Sequence, residues 1–82
     1  MTTGQKLKLV RKERGLTQKE LSEILSIAES AVRKYESGTI EPKLNTIVQF
    51  AKALDINPTK LLPDYFLEAI YDYISKKETE QC

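Results

Sequence analysis

Four side chains able to exchange hydrogen bonds with a polar partner fall close together: Glu29, Ser30, Arg33 and Lys34. Their i, i+1, i+4, i+5 spacing gathers them on one side of an α-helix. Arg33 can fork two N–H donors onto the adjacent acceptors of a guanine edge, and Lys34 can reach guanine or a phosphate. The Ser30 hydroxyl, donor and acceptor at once, suits almost any base. Glu29 is the exception in sign. Its carboxylate could accept from cytosine, yet an acid near phosphates is repelled, and Ser26-Ile27-Ala28-Glu29 also reads as a capping box that would occupy it with backbone N–H groups. Other chemistry has little to build on. The chain has no histidine, and its one cysteine, Cys82, cannot form an internal disulfide. It has no Gly-rich phosphate loop and no paired carboxylates placed for acid–base work, so neither a metal, a cofactor nor an enzyme is expected.

Those four residues need a short, rigid helix and something to aim it. Apolar spacing predicts a first helix over about residues 4–14, with Leu7 and Val10 inward and Leu9 outward, ended by Gly15. Thr17-Gln18-Lys19-Glu20 is a capping box that opens a second helix with Leu21, Ile24 and Leu25 inward. A third follows over 28–35, with Ala31, Val32 and Tyr35 inward, stopped by Gly38. Only Leu25-Ser26-Ile27 joins the second and third, too short a connection for antiparallel packing, so the two meet steeply. That arrangement is a helix-turn-helix, whose second helix can enter a major groove about 12 Å wide.

Pro42 suits the start of a fourth helix whose stripe is Leu44, Ile47, Val48, Ala51 and Leu54, ending at Asp55. Asn57-Pro58 opens a short fifth with Leu61 and Leu62, closed by Pro63. A last helix over about 64–77 carries Phe66, Leu67, Ile70, Tyr71, Tyr73 and Ile74, with polar residues from Ser75 onward expected to fray. No stretch alternates long enough for a strand. The expected class is all-α.

Eighty-two residues suffice for one core. No run of eighteen apolar residues spans a membrane and Met1-Thr2-Thr3-Gly4 does not resemble a signal peptide, so a cytoplasmic location is expected. The formal net charge of +1 conceals an asymmetry: residues 1–63 hold eleven Lys/Arg against seven Asp/Glu, and residues 64–82 hold two against five. A basic body over 1–63 and an acidic tail over 64–82 divide the chain, and only the body suits phosphates.

Several spaced motifs occur in order: Gly15-Leu16-Thr17-Gln18, Glu20-Leu21, Tyr35-Glu36-Ser37-Gly38, Glu41-Pro42 and Ala51-Lys52-Ala53-Leu54. Together they resemble the Cro/CI phage-repressor family, also called the Xre family, over about residues 4–62. The resemblance implies a five-helix phage-repressor-like DNA-binding domain, here with an additional C-terminal helix. It implies a bacterial or phage transcriptional regulator, expected to be a repressor, that binds double-stranded DNA as a homodimer on a near-palindromic operator. By position, Glu29, Ser30, Arg33 and Lys34 match base-facing residues. Gln18, with Thr17, matches a phosphate-holding helix N-terminus; Ser37 matches a backbone contact, and Arg11 with Glu36 a buried ion pair. Three positions depart from the pattern. Ser26 stands where Gly is usual, at a cost on the order of 1 kcal/mol if left-handed; Ala28 replaces a Ser/Thr cap; Lys43 replaces another cap and is a candidate phosphate contact.

The tail lies beyond that resemblance and has more apolar surface than an idle segment needs. Pairing with a twofold mate through Phe66, Leu67, Ile70, Tyr71 and Ile74 is the favoured expectation, with half-sites about 34 Å apart. The alternative is that the tail folds back over Leu9 and the first helix. A rival function is an antitoxin or protein-interaction adaptor on the same fold, and any regulation by signal would act through dimerisation or a second protein.

Overall fold

Caps decide where the helices begin. In the computed structural model, which describes residues 1–81 and the side chains of residues 1–76, helix α1 spans Thr3–Glu13. Its cap is a reciprocal box: the Gln5 N–H donates to the Thr2 hydroxyl and the Thr2 N–H to the Gln5 carboxamide. The same logic opens α2, Gln18–Leu25, where Thr17 and Glu20 exchange two bonds of 3.0 Å. Helix α3 spans Glu29–Ser37 and α4 spans Leu44–Leu54. Asn57 then caps a single 3-10 turn, Pro58–Leu61, by accepting from Thr59, and α5 runs over Asp64–Gln81. Among the described residues there is no strand, so the chain is all-α. No helix is long and apolar enough to cross a membrane. Cys82 and the side chains beyond Lys76, which include most of the stretch expected to fray, lie outside the described residues; the α5 backbone is helical four residues past the expected end.

Ser26 does not cap α3. It adopts the left-handed conformation, φ 57° and ψ 40°, and closes α2 with its N–H on the carbonyls of Glu23 and Ser22. A box needs an extended cap residue immediately before the first helical one, and Ser26 is neither extended nor adjacent. Ala28 holds the cap position with no side-chain bond, and Glu29 is the first helical residue rather than the third. Pro42 likewise precedes the α4 cap, Lys43, rather than starting the helix.

The core is built from Leu7, Val10, Leu21, Val32, Ile47, Phe50, Ala51, Leu54, Leu61 and Leu62. Two of the residues expected inside are exposed instead. Ile24 is 55% exposed, because α2 turns inward the i, i+3, i+4, i+7 stripe of Gln18, Leu21, Ser22 and Leu25. Leu44 is 62% exposed at the first residue of α4, where the core has ended, and Phe50, 2% exposed, is the large residue the sequence reading omitted. Ser22 is tolerated inside because its hydroxyl donates to the Lys19 carbonyl at 2.6 Å.

Helix α1 crosses the end of α3 closely at Gly4, where a β-carbon would overlap the Tyr35 carbonyl. Half a turn further along α1, Lys6 donates to the Leu62 carbonyl at 2.6 Å and to the Asp64 carboxylate at 2.7 Å, joining α1 to the start of α5. The N-terminal ammonium also reaches Asp64, at 2.6 Å. Leu67 and Ile70 pack half-buried against the core, while Phe66, Tyr71 and Ile74 are exposed. Leu9 stays 47% exposed, so α5 does not cover it. The tail instead extends the molecule, whose overall dimensions with it are 50 × 24 × 20 Å.

Candidate nucleic-acid interface

The outward face of α3 carries Glu29, Ser30, Arg33 and Lys34, all exposed. Its inward face is fixed twice. Val32 is fully buried, and the Tyr35 ring meets Phe50 edge-on at 5.5 Å. Glu36, one turn beyond Val32, enters a buried ion pair with Arg11: Nε to Oε2 is 2.6 Å and Nη2 to Oε1 is 3.1 Å. The remaining arm of Arg11, Nη1, donates to the Leu16 carbonyl at 2.7 Å, and the Gln18 amide donates to Glu36 Oε1 at 3.1 Å. One ion pair and its hydrogen bonds thereby tie together α1, the turn after it, the first residue of α2 and the last turn of α3. Removing either charge would strand the other, a loss of roughly 3–5 kcal/mol.

The start of α2 is the second feature. Lys12, Thr17, Gln18, Lys19 and Glu29 line a shallow depression of about 460 Å³, together with Arg11, Gly15 and Leu16. A helix N-terminus with two lysines beside it favours an anion, because its first N–H groups lack intrahelical partners. Thr17 and Gln18 have other duties. The Thr17 hydroxyl accepts from Glu20, whose own carboxyl is held below its usual range, chiefly by the backbone N–H of Thr17. Gln18 already spends one donor on Glu36.

Glu29 belongs to this depression and also reaches Arg33, with Oε1 and Nη2 3.6 Å apart. The structure thus gathers Thr17, Gln18 and Glu29, with Arg33 joined to them through Glu29. Ser37 and Lys43 lie elsewhere, at the end of α3 and at the cap of α4. The Ser37 hydroxyl donates to the Lys34 carbonyl at 3.1 Å and shares a hydrogen with Thr39 at 2.8 Å. Lys12 and Lys19 were missed by sequence reasoning. Each looks like an ordinary solvated lysine, and only the α1–α2 turn brings them to one place.

A helix-turn-helix family model matches residues 7–61. The immunity repressor protein of Bacillus phage phi105 is 35% identical over 82 residues, covering 98% of this chain and 57% of that protein. The uncharacterised HTH-type transcriptional regulator YqaE of Bacillus subtilis (strain 168) is 32% identical over 74 residues, covering 90% of this chain and 64% of that protein. A similar regulator, y4dL of Sinorhizobium fredii, is 36% identical over 63 residues, covering 72% of this chain and 32% of its own length. The chain therefore spans less than two thirds of each of these curated relatives. Among solved structures, the restriction-modification controller protein C.AhdI from Aeromonas hydrophila superposes with a TM-score of 0.69 at 35% identity, over 73% of this chain and 91% of that one. With the family model covering most of the body and the α1-to-α4 arrangement already described, the chain belongs to the Cro/CI-type (Xre) helix-turn-helix family.

Proposed function

We propose that the chain is a sequence-specific double-stranded DNA-binding transcriptional regulator, a repressor working in the cytoplasm, that places α3 in the major groove. The observation that carries this reading is the pairing of a polar outer face on α3 with a buried Arg11–Glu36–Gln18 network behind it. Base recognition needs side chains held in register, and that network fixes α3 against the helix whose N-terminus would take a phosphate. Arg33, Lys34 and Ser30 read base edges; Gln18, Thr17, Lys12 and Lys19 meet the backbone on one side, and Ser37 and Lys43 on the other. The relatives, an immunity repressor and HTH-type transcriptional regulators, point the same way.

The exposed Phe66, Tyr71 and Ile74 on α5 pair two copies, so that two α3 helices address half-sites about one helical turn apart. Selection of bound duplexes from a random pool at about 150 mM salt tests both parts, since nonspecific attraction is well screened there. The expected product is a near-palindrome with half-sites one turn apart. A second reading, a protein-interaction module whose α5 captures a different protein, draws on the same exposed apolar face; recovery of no motif would favour it. The two also part on salt, because a binder making several phosphate contacts loses orders of magnitude in affinity between 50 and 200 mM.

A further inference from the structure

Glu29 does little in the fold beyond placing an acid in the first turn of α3. It caps nothing, since Ala28 holds the cap position, and its ion pair with Arg33 is exposed on both sides, a class of contact that adds little to stability. Yet it stands at the most consequential point of the surface. It borders the depression that Lys12, Lys19 and the start of α2 make attractive to any phosphate, whatever the sequence. Its other neighbour is Arg33, the side chain best shaped to read guanine.

We propose that Glu29 is a specificity-determining residue that works by repulsion: its carboxylate weakens the attraction of the α2 N-terminus and Arg33 for DNA backbone of any sequence. This rests on the DNA-binding reading above. Two consequences follow from the geometry. On unrelated DNA, Glu29 offsets part of the Arg33 charge and the carboxylate opposes the nearest phosphate, so nonspecific affinity is lowered. On the operator, Arg33 leaves for a base acceptor, and a cytosine amino group in the groove offers the carboxylate a donor that no phosphate can supply. The opposition is thus largest where the sequence is wrong, which widens the gap between specific and nonspecific binding.

The test compares the full chain with Glu29→Gln and Glu29→Asp, each titrated against the selected operator and against a random duplex between 50 and 200 mM salt. Glu29→Gln is expected to bind random DNA about three- to tenfold tighter, with a log–log salt slope steeper by up to about one, while gaining less on the operator. Glu29→Asp keeps the charge and is expected to stay within about twofold of the unaltered chain on both duplexes. Thermal unfolding of all three variants separates these effects from loss of the acid that starts α3. Unchanged random-DNA affinity and slope in Glu29→Gln would overturn the proposal, and so would Glu29→Asp behaving like Glu29→Gln, which would mean shape rather than charge. Failure of the unaltered chain to bind any duplex would instead sink the DNA-binding reading beneath it.

Discussion

Helix α3 ends its inward face on buried partners, Val32 in the core and Glu36 in a network of three donors, whereas α5 meets the body through two half-buried side chains and a surface latch at Asp64. Both helices display outward residues without a partner in the protomer's core. The difference lies in what each would recognise. A helix that reads base edges must be in register before it arrives, because misplaced donors meet wrong acceptors. A helix that meets a second copy of itself can be completed by that copy, since burying Phe66, Tyr71 and Ile74 in a dimer supplies the apolar contact the protomer lacks.

The comparison breaks most visibly at Arg11. Arg11→Ala leaves Glu36 buried without its cation, so a loss of roughly 3–5 kcal/mol is expected in urea or thermal unfolding. A loss under about 1 kcal/mol would mean that the network is not what holds α3. The tail should behave in the opposite way. Phe66→Asp combined with Ile74→Asp should change the stability of the monomer by only about 0.5 kcal/mol per site, as exposed substitutions do. Sedimentation should nevertheless shift from dimer to monomer at tens of micromolar; an unchanged dimer would place the interface elsewhere. The smallest expected effect concerns the latch. Asp64 is held down to about 2 from 3.8, first by the Lys6 hydrogen bond and then by the N-terminal ammonium. A carboxyl depressed in the folded state stabilises it above its unfolded value, and that contribution disappears as pH falls from about 4 through about 2. Asp64→Asn should therefore lose the Asp64 share of the difference between neutral and acid stability, leaving the share of Glu20, and converge on the unaltered chain as pH falls below about 2. Parallel pH curves for the two chains would mean that the latch is not formed in solution.

Much of the body was legible in the sequence because its signals are local. The Thr17–Glu20 box, the Asn57-Pro58 start and the stops at Gly15 and Gly38 each follow from the backbone needs of one turn. The left-handed Ser26 was readable only as a departure from the family pattern. Reading it a second time, as a cap for α3, failed because one residue cannot close a helix in a left-handed conformation and open the next in an extended one. Helix faces were less legible than helix existence. Ile24 and Leu44 are apolar and near the right phase, but burial depends on which neighbours arrive, and nothing local announces that Phe50 fills the centre. The depression at the start of α2 was hidden for the same reason: Lys12 and Lys19 become neighbours of Glu29 only through the tertiary arrangement of α1, α2 and α3.

Lys6 bridges Leu62 and Asp64, and so fixes the angle at which an 18-residue rod leaves the body. A rod of that length is about 27 Å long, so a tilt of about 10° at its root moves the far end by roughly 5 Å. The rise per base pair is about 3.4 Å. In a dimer joined through α5, that small joint would act as the setting of a pair of dividers, and loosening it would let one protein tolerate operators whose half-sites differ in spacing by a base pair.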